Sequence, residues 1–157
     1  MTQSLVTLAI LLSSLTGTLL LLQKQQRNPV VQDVRHFSEA HLADMPLLLE
    51  YAETPWQKIR GLSGRDALPE GHGMFFVYGK PGDYGIWMKD MRFSIDILWF
   101  DEHKRLVSVH EAAPPGSYPQ VFTPPHPAQF ILEMNAGFIA SSGVGLGDEL
   151  IVDDPRS

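Results

Sequence analysis

Residues 85–100 read GIWMKDMRFSIDILWF, two strand-like apolar runs, Ile86 to Met88 and Ile95 to Phe100, around a short polar turn. Their shortness and their content of β-branched and aromatic residues point to strands. Asp96 lies inside the second run. A carboxylate there must face solvent, find a partner or shift its pKa. On a period of two it shares a face with Leu98 and Phe100, which predicts burial.

Working outward, the same grammar repeats. Pro46 to Ala52 (PLLLEYA) is a predicted strand broken by Glu50. Thr54-Pro55 is a helix start, with Thr54 as N-cap and Pro55 in the first turn. The short helix runs over Trp56 to Leu62, and Gly61 and Gly64 end it. Met74 to Tyr78 (MFFVY) is a buried strand. Arg105 to His110 alternates as RLVSVH and forms a hairpin with Ile95–Phe100. Ala113 to Ala128 holds six prolines, too many for helix or central strand, so it is a long rigid loop. Phe130 to Met134 is a strand, Phe138 to Ser142 a short helix, and Glu149 to Val152 the closing strand. About seven short strands and two short helices define the expected class: mainly β, β-rich α+β, a mostly antiparallel barrel-like or sandwich domain over residues 46–154.

The N-terminus differs from this domain. Leu5 to Leu22 is eighteen residues without a charge, about 27 Å as a helix and close to a bilayer core. Residues 1–27 read as an uncleaved single-pass transmembrane anchor. The alternative is a cleaved signal peptide, against which no basic residue precedes the run and no small-residue cleavage site follows it. Residues 28–45 read as a polar linker, extended or loosely helical.

Two of the 12 basic residues and none of the 18 acidic ones lie in residues 1–27, so the remainder carries a formal charge of about −8. That disfavours nucleic acid as a partner. The chain has no cysteine, which excludes thiolate chemistry and disulfides. The histidines show no helical ligand spacing and no H-E-x-x-H pattern, so no metal is expected. No phosphate loop, dinucleotide fingerprint or G-x-S-x-G elbow occurs, so no cofactor is called for.

Further candidates follow from residue type. Arg60, Arg65 and Lys89 are the cations expected to hold Asp96, either in a structural ion pair or at a ligand-facing cleft. Glu133, in the strand FILEM, shares a face with Ile131, and Asn135 continues that face. Asp96 and Glu133 together would make an acid–base pair for a hydrolase or lyase. Trp87, with Trp99 and Tyr84, would form a wall for a small molecule, a glycan or a peptide. Three functions stay open: non-catalytic binding of a small ligand, glycan or protein partner; hydrolysis or lysis through Asp96 and Glu133; and a structural role in an envelope complex, with the proline-rich loop as docking edge.

The segments GLSGR (61–65), GMFFVY (73–78), IWMKDM (86–91), SIDILWF (94–100), LEMNAG (132–137) and GLGDEL (145–150) occur in order. Together they resemble the DUF192 family, small bacterial and archaeal domains of undefined function, over nearly all of residues 47–152. The resemblance implies a compact, mostly β fold with short helices. It also implies an extracytoplasmic domain, since members often carry an export signal or N-terminal anchor, whereas Lys24 and Arg27 after the span would keep the domain inside by the positive-inside rule. The chain departs from the family pattern at Ser63, Ile86, Asp90-Met91 and Ser94, and lacks the cysteines many members carry in the proline-rich loop.

Overall fold

The computed structural model describes residues 35–153. The anchor expected at Leu5–Leu22 lies outside them. Among the described residues no helix is long and apolar enough to cross a membrane.

The chain order is β1 (Phe37–Leu42), β2 (Met45–Ala52), α1 (Pro55–Arg60), β3 (His72–Gly82), β4 (Ile86–Trp87), β5 (Ile95–Phe100), β6 (Leu106–Ala113), a 3₁₀ turn (Pro115–Ser117), β7 (Val121–Phe122), β8 (Ala128–Asn135), α2 (Phe138–Ser142) and β9 (Leu150–Val152). Seven strands form one sheet in the order β6-β5-β8-β3-β2-β1-β9, and β4 pairs with β7 in a separate ribbon. All pairings are antiparallel except β2 with β3. That parallel step needs a crossover, which residues 53–71 supply, α1 included. Thr54 starts α1 as expected: its side chain accepts from Gln57 N–H, and the Gln57 side chain returns a bond to the Thr54 backbone, a capping box.

Residues 37–44, expected within a polar linker, instead make β1 and its turn. Phe37-Ser-Glu-Ala-His-Leu42 alternates exposed and buried, with Ala40 and Leu42 fully buried. One-sided alternation in a mostly polar sequence is weak as a hydrophobic signal but sufficient when a neighbour covers the strand. β1 pairs with β2 along its whole length and also receives β9.

The sheet curls into a half-barrel. Arg105 and Glu149 form an antiparallel bridge, and Leu106 N–H donates to Asp148 O at 2.8 Å. The start of β6 at one edge is thus tied to the approach to β9 at the other. Two cores result, one on each face. Inside the curl lie Leu42, Leu49, Phe75, Leu98, Phe100, Leu106, Leu132 and Leu150, drawn from both edges and the centre. On the outer face lie Phe76, Ile95, Ile97, Trp99 and Ile131, covered by Leu62 and Leu68 after α1 and by Ile86, Met88 and Phe122 of the ribbon region. A sheet covered on both faces explains why β5 reads as one apolar run rather than an alternation.

Candidate functional site

Register decides which predicted site residues meet. Along β5 and β8, Asp96 stands opposite Met134 and Ile97 opposite Glu133. Successive side chains point to opposite faces, so Asp96 enters the inner core and Glu133 the outer one. The acid–base pair expected from the sequence is therefore not formed, because the sheet lies between its members.

Asp96 is buried, 1% exposed, but no cation among the described residues forms an ion pair with it. Oδ1 accepts Ala112 N–H at 2.8 Å, and Oδ2 accepts Ile139 N–H at 2.9 Å. Ala112 sits in a β6 irregularity with φ of 51°, where the ladder bonds are interrupted. Ile139 N–H belongs to the first turn of α2, whose N-cap Gly137 has no side chain to cap it. The carboxylate thus satisfies two backbone donors left over by a bulge and a helix end. Asp96 is a structural clamp.

The expected cations are placed elsewhere. Arg65 makes two 2.7 Å bonds to Glu50, which Arg35 also approaches at 3.7 Å. This fork fastens the loop after α1 to β2. The Lys89 side chain is exposed. Its carbonyl accepts from Ser63 Oγ at 2.7 Å, and Gly64 N–H donates to Asp90 O. Those two bonds lock the GLSGR loop to the WMKD turn. Asn135 donates to Leu68 O at 2.8 Å and is likewise structural. Trp99 is buried and gives its indole N–H to Tyr84 O, so it is no ligand wall.

Glu133 is different. It is 4% exposed, and its Oε2 is buried without a hydrogen-bond partner among the described residues. A cavity of about 210 Å³ opens beside it, between the end of α1, β3 and β4. Gly61 passes close above: a Cβ there would stand 3.8 Å from Oε2 and 3.4 Å from the Phe76 ring. Arg60 and Trp87 border the same cavity, and Trp87 is 41% exposed, with its ring edge-on to Tyr118 at 6.3 Å. Of the sequence candidates, Arg60, Trp87 and Glu133 therefore meet here.

The lining also includes residues outside the sequence candidates, Tyr78 and Lys58 among them. Tyr78 ends the row Met74, Phe76, Tyr78 on β3, the face that Glu133 shares through its pairing with Met74. Its ring stacks on Tyr84 at 3.5 Å. Lys58 lies with Nζ 4.3 Å from the Tyr78 ring centre, a cation–π contact. The alternation in MFFVY carries the signal for Tyr78, but only once β3 is known to pair with β8.

Electrostatics follow from burial. Loss of solvent pushes the Glu133 carboxyl up to about 8, with Arg65 opposing. Tyr78 is raised to about 12 by burial, then by Glu133 and Tyr84. Burial lowers Lys58, against the pull of Glu53. At neutral pH the cavity thus offers a protonated acid at its floor and cations on the helix above it.

A family model described as "Uncharacterized ACR, COG1430", DUF192, matches residues 39–152. The chain belongs to the DUF192 family. The matched span includes most of β1, extending the resemblance read from the motifs. No curated protein matches the sequence. Two crystal structures are similar to this DUF192 domain. One, from Sinorhizobium meliloti, is provisionally described as a transcription regulator; it is 28% identical, with a TM-score of 0.73 over 77% of this chain and 97% of that one. The other, of unknown function, from Novosphingobium aromaticivorans, is 23% identical, with a TM-score of 0.67 over 78% and 89%.

Proposed function

We propose that this DUF192 protein is a single-pass, membrane-anchored binding domain, held outside the cytoplasm, whose cleft at Glu133 takes up a small ligand without converting it. The observation that carries this reading is the Glu133 carboxyl. A buried polar group without a partner costs about 1–3 kcal/mol, a cost typical of sites where a ligand supplies the missing contact. The surroundings suit binding: aromatic surface from Phe76, Tyr78 and Trp87, with cations at Lys58 and Arg60. The cavity of about 210 Å³ favours a small molecule over a glycan chain. Conversion by a carboxylate pair is disfavoured, since Asp96 is committed on the other face. A transcriptional role like that suggested for the Sinorhizobium protein is disfavoured by 18 acidic against 12 basic residues.

The test is a thermal-shift screen of the full chain in detergent micelles against metabolite-sized compounds. At least one compound should raise Tm in the wild type and not in Trp87→Ala or Tyr78→Phe. Shifts of equal size in wild type and both variants, or no shift with any compound, would remove the reading. Anchoring is checked by alkaline extraction and external protease. Release of the protein from the pellet, or protection of the domain in spheroplasts, would refute the anchor or its sidedness respectively.

A further inference from the structure

We infer that the cleft accepts a small zwitterion, with the ligand's ammonium group against Glu133 and its anionic group against Lys58 and Arg60. The inference rests on the cleft being a ligand site and specifies its ligand chemistry. Charges of both signs line one cavity. The floor holds one acid, Glu133, buried and with Oε2 unpartnered. α1 holds two cations bordering the same space, Lys58 and Arg60. Phe76, Tyr78 and Trp87 add aromatic surface to the same lining.

Each simpler ligand class satisfies only half of this layout. An anion would be drawn by Lys58 and Arg60 but leave the floor acid without a partner. A cation would match Glu133 and the aromatic faces, yet share the cavity with two like charges. A neutral polar molecule would use neither charge. The nearby cations leave Glu133 Oε2 without a hydrogen bond: Lys58 places its Nζ over the Tyr78 ring, and Arg65, which acts on Glu133 through its charge, gives its short bonds to Glu50. An ammonium group suits the floor, since a carboxylate beside π faces is the usual setting for a desolvated cation. The volume, below the roughly 300–1,000 Å³ usual for drug-sized ligands, fits a molecule of amino-acid size.

Protonation gives the site a readout that a merely structural acid lacks. Burial holds the Glu133 carboxyl near 8, with Arg65 pulling downward, so the group is mostly protonated at pH 7. An ammonium set beside it favours the carboxylate. Binding at pH 7 should therefore release close to one proton. Tyr78, raised to about 12, stays neutral and contributes none.

The experiment is isothermal titration of the full chain in detergent with four probes on one scaffold: L-leucine, L-leucinamide, N-acetyl-L-leucine and N-acetyl-L-leucinamide. L-Leucine should bind, and each probe lacking one or both charges should bind at least about tenfold more weakly, the loss expected when one partner of a desolvated pair is removed. Heats in two buffers of different ionisation enthalpy should report the released proton. Glu133→Gln should abolish that release. Arg60→Gln, an exposed change that leaves the core intact, should weaken L-leucine but not L-leucinamide. N-acetyl-L-leucine or N-acetyl-L-leucinamide binding as well as L-leucine overturns the zwitterion and leaves the cleft standing. Binding of L-leucine with no proton released, or unchanged in Arg60→Gln, also overturns it. Failure of all four probes overturns it too, while the cleft itself is judged by the separate compound screen.

Discussion

At the residue scale, two carboxyls in neighbouring strands have opposite fates because of parity. Asp96 completes the hydrogen bonding of Ala112 and Ile139. Asp96→Asn keeps the shape but turns one acceptor into a donor facing a backbone N–H. The expected cost is about 2–4 kcal/mol, combining a lost charge-assisted bond with a buried unmatched donor. Chemical denaturation measures it, and a change below 1 kcal/mol (about the value of one ordinary bond) would refute the clamp. Ligand affinity in the folded variant should be unaltered, since the cleft lies across the sheet. Glu133 has the opposite pH signature from a salt-bridged acid. Its folded pKa, about 8, is above the ordinary 4.5. Between those values the unfolded chain binds fewer protons than the native one, so stability falls as pH rises. The stability present below about pH 4.5 should decline by a few kcal/mol on approaching pH 8. Glu133→Gln should flatten that decline; identical pH profiles for variant and wild type would show that Glu133 is not the group responsible.

At the element scale, the cleft depends on the β4–β7 ribbon, which has only two residue pairs, Ile86 with Phe122 and Trp87 with Val121. Gly85 lets the ribbon close: a Cβ there would meet Val121 Cγ1 at 2.4 Å and Thr123 Cγ2 at 3.0 Å. Both neighbours are β-branched and stiff at χ1. Gly85→Ala should therefore cost about 1–3 kcal/mol and lower ligand affinity by displacing Trp87. Wild-type stability and affinity in a paired denaturation and binding measurement would show that the ribbon adapts. The proline-rich loop, expected as one irregular stretch, contains this second strand of the ribbon together with a 3₁₀ turn. Two residues of strand between prolines are too short for periodicity to register.

At the scale of the whole molecule, closure is distributed between the ends of the domain. β1 carries β9 along the far edge, and the approach to β9 is bonded back to β6. A fragment beginning at Pro46 would lose the buried Ala40 and Leu42 and leave β9 without its partner. Leu42 alone should contribute about 1.5–3 kcal/mol. We expect such a fragment to lose cooperative thermal unfolding, whereas one beginning at Arg35 keeps it. A sharp calorimetric transition in the shorter fragment would show that β1 is dispensable.

Composition and local pattern alone determined the β-rich class, the start of α1 at Thr54-Pro55, the β5 and α2 spans and the burial of Asp96, because capping, turn chemistry and apolar runs are encoded within a few residues. Tertiary structure decided the rest. β1 emerges only when β2 and β9 cover a weakly apolar strand. The partners of Asp96 are backbone groups from β6 and α2, which no residue-type argument can place. The parity between β5 and β8 separated Asp96 from Glu133, and the β3–β8 register brought Tyr78 to Glu133. A strand carries its alternation in its own sequence, but which alternation meets which is fixed only when distant strands pair.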